Sequence, residues 1–159
     1  MKIDIIKVTF SEKKKLERLI QLYLHDLSLY FPISFNSDAC KYDYNLDKYF
    51  EDNYAYFIKS NDNILGFVLV DDNKNGNYEI SEIFVLNNYK HKKVGEQAAI
   101  KIFNKHKGNW IIKAVPSSIV AESFWKKVIS KYTNNDYELK YTGKYNRPEF
   151  YFCNYKVVE

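Results

Sequence analysis

The sequence has few of the residues that build disulfide frameworks or structural metal sites. Its 159 residues include only two cysteines, Cys40 and Cys153, which lie far apart, form no CxxC pair and have no histidine cluster near them. A disulfide between them would require the fold to bring them together, so two reduced thiols are the expected state. Nothing in the sequence indicates a metal site, and we predict none.

Long apolar runs are absent as well. The first residues, Met1–Ile5, contain no long apolar stretch, and no segment is apolar enough over sufficient length to span a membrane. No internal repeat, linker or low-complexity segment interrupts the chain. We therefore expect a single domain covering residues 1–159, in a cytoplasmic protein that does not bind membranes.

A strong excess of charge of either sign is missing too. Charged residues make up 28% of the chain, yet the formal net charge is only +4. Such a mild balance suits an anionic ligand or a modestly acidic partner, and it does not indicate a dedicated nucleic-acid-binding protein. Apolar residues make up 46% of the chain, which is enough to bury a core.

What the chain does have is an alternation of strand and helix patterns. Apolar residues recur at helical spacing in three stretches, and shorter β-rich runs lie before, between and after them. These patterns predict an α/β fold with a mixed central sheet of about seven strands flanked by about four helices, in which the unit 78–115 is a right-handed parallel crossover. The predicted strands lie at 3–10, 54–58, 64–70, 78–86, 110–115 and, as a pair, within 136–158; the helices lie within 11–31, 34–52, 94–103 and 117–129.

A basic cluster, Lys90–Lys93, stands between the strand at 78–86 and the helix that follows it, and Gly95 comes two residues later. Unpaired backbone N–H groups and the helix dipole make a helix start a binding place for phosphate. Lysines add attraction, and glycine permits close approach of the backbone. The stretch therefore predicts an anion-binding loop, although such a charge run is as typical of a solvated surface.

The segment EIFVLNNYKHKKVGEQAA, together with the order of elements, resembles the GNAT acyltransferase superfamily. The signature of that family is Arg or Gln, two residues, Gly, one residue, then Gly or Ala. Gly95 matches it, Lys90 keeps the cation of the first position, and Lys93 replaces the first glycine. Because position 93 already enters the helix, we expect a helical φ there that does not require glycine. The signature falls on Lys90, His91, Lys92, Lys93, Val94 and Gly95.

A second stretch, VPSSIVAESFWKKVI, resembles the later GNAT pattern in which a polar residue precedes alanine and an aromatic pair follows. Ser118 stands where the family often has Asn. Trp125 stands where the family often has Tyr as a general acid, and Trp has no titratable proton for that role. The whole pattern is similar to a small bacterial-type branch of predicted acetyltransferases.

The resemblance implies acetyl transfer from acetyl-CoA, without a metal, to a small-molecule or peptide amine, in a monomer or homodimer. The pantetheine arm would pair with the backbone of the strand that precedes the signature, and the pyrophosphate would lie at the start of the helix. The residues implied in acetyl-CoA binding are Ile83, Phe84, Val85, Lys90, His91, Lys92, Lys93, Val94, Gly95, Ser118 and Trp125.

The amine must lose a proton, and two carboxylates on the central strand are candidates for the base. Glu82 lies nearer the implied thioester position and is preferred to Glu79. Their odd spacing places them on opposite faces unless a bulge intervenes. An ordinary salt-bridged strand glutamate remains the alternative for both.

The segment 31–50 mixes Asp38, Asp43 and Asp47 with aromatic residues, and the resemblance places it at the acceptor cleft. A cationic amine would suit carboxylates and aromatic faces. The alternative is an ordinary loop whose aromatics fill the core. His25 and His106 are expected on the surface or on helix faces.

Two further functions stay open. A catalytically silent CoA-binding or regulatory domain would account for Lys93 and Trp125. A small nucleic-acid-binding domain would use Lys90–Lys93, but the basic residues form one short loop and no long stripe.

Overall fold

The computed structural model describes residues 1–155, so the end of the strand pair predicted within 136–158 lies outside the described residues. The strands are β1 Asp4–Lys7, β2 Phe35–Asn36, β3 Lys41–Tyr42, β4 Tyr54–Ser60, β5 Asn63–Asp72, β6 Asn77–Val85, β7 Asn109–Lys113, β8 Glu138–Thr142 and β9 Arg147–Cys153. The α-helices are α1 Lys13–Leu27, α2 Val94–Lys105 and α3 Ile119–Thr133.

Seven strands form one mixed sheet in the order β1-β4-β5-β6-β7-β9-β8, and β2 and β3 form a separate hairpin. The β6–β7 pair is parallel and the other pairs are antiparallel. The predicted seven-stranded mixed sheet and the parallel unit are confirmed.

The described residues contain three α-helices, which differs slightly from the predicted count of about four. Segment 34–52, in which a loop and a short helix were predicted, holds the β2–β3 hairpin and a single 3₁₀ turn at Asp47–Phe50. The aromatic residues of this segment do not recur at helical spacing, so no amphipathic helix forms there.

The sheet separates two apolar cores. On one face, α2 and α3 pack against residues such as Trp110 and Phe150. On the other face, α1 packs its Leu16 and Ile20 against Phe67. Because side chains alternate along a strand, each central strand contributes to both cores. The two faces are called here the α2/α3 face and the α1 face.

The parallel strands β6 and β7 separate after a short pairing. They are in register only from Asn77–Asn109 to Glu79–Ile111. The next residues of β6 pair with β5 alone, and the rest of β7 pairs with β9. A bulge at Ser81, opposite the Leu69/Val70 step of β5, bends β6 at this point. The separation leaves one edge of β6 without a neighbouring strand and opens a cleft in the sheet.

Four further findings bear on the sequence expectations. Cys40 and Cys153 are exposed free thiols. His106 is buried rather than on a surface, because its Nε2 lies 2.7 Å from the Tyr56 hydroxyl within a group of aromatic rings. Within residues 1–155, no helix combines the length and apolar character needed to cross a membrane. In that same range, His, Cys, Asp and Glu side chains form no group of three or more suited to a metal ion.

Candidate active site

A cavity of about 730 Å³ lies in the cleft between β6 and β7 and reaches both faces of the sheet. Most of the residues predicted to form the site line it. Lys92 and Glu79 are not among the lining residues. The predicted residues that line it are Glu82, Ile83, Phe84, Val85, Lys90, His91, Lys93, Val94, Gly95, Ser118 and Trp125.

The open edge of β6 offers backbone groups to the cavity. The Leu86 N–H donates to the Leu65 carbonyl of β5 at 2.8 Å. The Phe84 carbonyl also faces β5, because a Cβ added at Gly66 would lie only 1.9 Å from the Phe84 oxygen. Backbone groups of successive strand residues point to opposite edges. The amides and carbonyls of Ile83 and Val85 therefore face the open edge, while those of Phe84 are used against β5.

The basic loop turns into α2 through left-handed backbone. Lys93 is the N-cap of the helix with φ +60° and ψ +21°, and His91 has φ +63°. The expectation of a helical φ at position 93 is wrong. The chain has not yet entered the helix there, and the turn that aims α2 at the cavity needs a positive φ. Glycine adopts this conformation without strain, whereas lysine does so at a cost of about 1–2 kcal/mol.

Gly95 lies in the first turn of α2 and faces α3. A Cβ at this position would be 3.3 Å from the Phe124 ring and 3.8 Å from the Val85 side chain. The missing side chain therefore lets α2 start close against α3 and β6. The first N–H groups of the helix have no intrahelical partner and, with the positive end of the dipole, lie at the cavity among exposed lysines.

Ser118 and Trp125 have structural contacts in addition to their place on the cavity wall. The Ser118 Oγ caps α3 by accepting the Ala121 N–H at 3.1 Å. Trp125 is 5% exposed and packs edge-on against Phe124. Their contact with acetyl-CoA stays a prediction.

Glu82 is the lining carboxylate on the α1 face, whereas Glu96, which also lines the cavity, forms an ion pair with Lys131 at 3.0 Å. The Tyr23 hydroxyl, from α1, donates to the Glu82 Oε1 at 3.1 Å. Burial raises the pKa of Glu82 to about 7, while hydrogen bonds from Tyr23 and Tyr44 and the charge of Arg147 act in the opposite direction. A carboxylate with this pKa accepts a proton near neutral pH.

Glu79 has a different environment. Its Oε1 lies 3.8 Å from the Lys113 Nζ, and burial raises its pKa while Lys113 opposes the rise. The bulge at Ser81 lies between Glu79 and Glu82, so the two carboxylates share the α1 face despite their odd spacing. Asp71 and Arg147 act on the pKa of both.

Sequence reasoning missed several polar side chains of the cavity, among them Tyr23, Lys113 and Arg147. These three come from α1, β7 and β9, and no local motif joins them. A signal could have been found for Lys113 alone, since it ends a strand that was predicted to lie beside the central one.

The acidic residues of segment 31–50 lie away from the cavity. Asp47 forms an ion pair with Lys13 at 2.6 Å, and Asp43 accepts the Ser34 hydroxyl at 2.9 Å. The segment instead contributes Phe31 to the cavity wall and Tyr44 near Glu82.

The chain has a family match in sequence that agrees with this geometry. The model of the family described as "Acetyltransferase (GNAT) family" matches residues 16–128. No curated protein sequence matches significantly.

Solved structures share the fold at low sequence identity. An acetyltransferase from Thermus thermophilus superposes with a TM-score of 0.70 at 10% identity, over 96% of this chain and 97% of that one. The PaiA N-acetyltransferase from Thermoplasma acidophilum, in complex with coenzyme A, superposes with a TM-score of 0.64 at 14% identity, over 98% of this chain and 100% of that one. A Bacillus subtilis acetyltransferase in complex with CoA superposes with a TM-score of 0.59 at 14% identity, over 96% of this chain and 97% of that one.

Proposed function

The chain belongs to the acetyltransferase (GNAT) family, and we propose that it moves an acetyl group from acetyl-CoA to an amine by direct attack in a ternary complex. One observation carries this proposal. A single cavity joins the start of α2, the open edge of β6 and the Glu82 carboxylate. Two of the structures with a similar fold are complexes with CoA, which supports acetyl-CoA as the donor.

In the proposed complex, the pyrophosphate lies at the N–H groups that begin α2, with Lys90, His91 and Lys93 around it. The pantetheine arm runs along β6 and pairs with the outward backbone groups of Ile83 and Val85. This arrangement brings the thioester to the cleft, next to Glu82. Holding donor and acceptor together supplies much of the rate enhancement, because the thioester is already activated.

The chemistry requires one base. An ammonium acceptor loses a proton to Glu82, directly or through water. The neutral amine then attacks the thioester carbonyl, a C–N bond forms and the C–S bond breaks. CoA leaves as a thiolate, and the second amine proton ends on its sulfur by way of solvent, because Trp125 has no proton to give. The net products are the amide, the CoA thiol and one proton.

Calorimetry with acetyl-CoA and CoA, followed by thiol release from acetyl-CoA in the presence of an amine panel, tests the proposal. Binding with amine-dependent thiol release supports it, and failure to bind either nucleotide overturns it. Lys93 in place of glycine and Trp125 in place of tyrosine favour a second candidate, a silent CoA-binding domain. That candidate predicts binding of acetyl-CoA without turnover of any amine.

A further inference from the structure

Arg147 is a half-buried cation on the cavity wall that lies near carboxylates without pairing with one, since its charge acts to lower the pKa of Glu79, Glu82 and Glu149. Its Nε donates to the Ala114 carbonyl at 2.8 Å, and its Nη2 donates to the Lys113 carbonyl at 3.3 Å. Within residues 1–155, no carboxylate forms an ion pair with its guanidinium. The side chain is thus held in place by neutral acceptors alone.

A guanidinium has five N–H donors in a fixed plane, and the two bonds to carbonyls leave others available. Because no carboxylate of residues 1–155 occupies these remaining donors, they are open to an anionic group of a ligand in the cavity. Lys113, from the end of β7, adds a second cation to the same wall, and its contact with Glu79 is long at 3.8 Å. Two cations therefore face the cavity on the α1 face.

Glu82 lies on this face as well, so the cavity presents a base and two cations together. Leu27, Phe31 and Val115 form an apolar part of the wall on this side. An acceptor that fits all three features has an amine, an anionic group and an apolar body. A polycation would meet repulsion from Arg147 and Lys113.

We propose that the acceptor is a small amine that carries a carboxylate and an apolar side chain, as an apolar α-amino acid does. Its carboxylate binds Arg147 and Lys113, and its amino group faces Glu82. This inference rests on the proposed acetyl transfer and replaces the cationic acceptor expected from segment 31–50. Arg147 is then a specificity-determining residue that Lys113 assists.

Matched acceptor pairs test the role of the carboxylate. L-phenylalanine is compared with phenethylamine, and L-leucine with 3-methylbutylamine, and spermidine represents polycations. Thiol release gives kcat/KM for each. We expect the carboxylated member to exceed its partner by about 10- to 100-fold, the range for a hydrogen bond to a charged group. Higher kcat/KM for the decarboxylated amines or for spermidine would overturn the inference and leave acetyl transfer intact.

Arg147→Gln identifies the residue responsible. It should lower the ratio of kcat/KM between L-phenylalanine and phenethylamine about tenfold or more, mainly through the KM of L-phenylalanine. Arg18→Gln is the matched control, because Arg18 is exposed on α1 and does not line the cavity. If Arg147→Gln unfolds, Lys113→Gln provides the same comparison. An unchanged ratio in a folded Arg147→Gln protein would remove Arg147 from the proposal.

A binding measurement keeps the inference testable in an inactive protein. N-acetyl-L-phenylalanine and N-acetylphenethylamine are titrated into protein saturated with CoA. Tighter binding of the carboxylated compound, lost in Arg147→Gln, supports the anion site even without turnover. Equal affinity for the two compounds contradicts the inference. So does the absence of binding of either compound in a protein whose turnover shows no preference for carboxylated amines.

Discussion

The two ends of the cavity are built in different ways. The end at α2 comes from one continuous stretch, Ile83 to Gly95, and acts through backbone groups and a helix start. The end on the α1 face comes from side chains of separate elements, among them Tyr23, Glu82 and Arg147. The first end suits the proposed donor, acetyl-CoA, which many proteins bind. The second end suits the acceptor, which is specific to this protein.

This difference separates binding from chemistry. Backbone N–H groups at a helix start donate hydrogen bonds to a phosphate whatever the side chains are, so in the proposed complex the α2 end binds the pyrophosphate with Lys90 and Lys93 at signature positions. At the end on the α1 face, the proposed chemistry depends on the half-buried carboxylate of Glu82, whose pKa is raised by its surroundings. Substitutions at the two ends should therefore change different measured quantities.

The largest expected effect is on turnover. Glu82→Gln should lower kcat by about two to four orders of magnitude, because it removes the base, while leaving the Kd for acetyl-CoA unchanged. Thiol release and calorimetry measure the two quantities. Glu79→Gln is the control, since Glu79 does not line the cavity and contacts Lys113. A loss in Glu79→Gln as large as in Glu82→Gln would contradict the assignment of the base, as would full activity of Glu82→Gln.

The same carboxylate should make stability depend on pH. The pKa of Glu82 rises from its ordinary value of 4.5 to about 7 on folding. Its protonation thus favours the folded state, a contribution fully present below pH 4.5 and lost as the pH rises through 7. Glu82→Gln should raise the free energy of unfolding by about 1–3 kcal/mol at about pH 8 relative to the unsubstituted protein.

Urea unfolding at about pH 4.5 and about pH 8 measures this change. The advantage of Glu82→Gln should be present at the higher pH and small at the lower one, where the glutamic acid is largely neutral in both states. An equal effect at the two pH values would show that packing or lost hydrogen bonds to Tyr23, and not the charge, decide the outcome.

The α2 end of the cavity could be predicted from the sequence, whereas most of the end on the α1 face could not. The seven strands, the parallel unit and the loop before α2 depend on local periodicity and on one short motif, and they were predicted. The bulge at Ser81 and the partners Tyr23 and Arg147 depend on how distant segments meet, which no local pattern records. The left-handed φ of Lys93 was missed because its side chain gives no sign of a turn that glycine would have marked.

At the α2 end, smaller effects on binding are expected. Lys90→Gln and Lys93→Gln should each weaken acetyl-CoA binding about two- to fivefold at low salt, since exposed charges contribute up to about 1 kcal/mol, and the loss should shrink at high salt. Lys92→Gln is the matched control, because Lys92 belongs to the same loop but does not line the cavity. Equal losses of acetyl-CoA affinity in all three variants would indicate that the net charge of the loop matters and that the positions of Lys90 and Lys93 on the cavity wall do not.

The smallest expected effect concerns the strain at Lys93. Its φ of +60° costs about 1–2 kcal/mol that glycine avoids, while glycine adds about 0.5–1 kcal/mol of unfolded-state entropy. Lys93→Gly should therefore raise the free energy of unfolding by up to about 1.5 kcal/mol. Lys92→Gly removes the same charge from a residue without positive φ and should lower it by about 0.5–1 kcal/mol. Urea unfolding of the two variants at one pH gives the difference directly. If both lose the same stability, the left-handed turn at Lys93 is not strained, and glycine at that signature position would have to serve the ligand instead of the backbone.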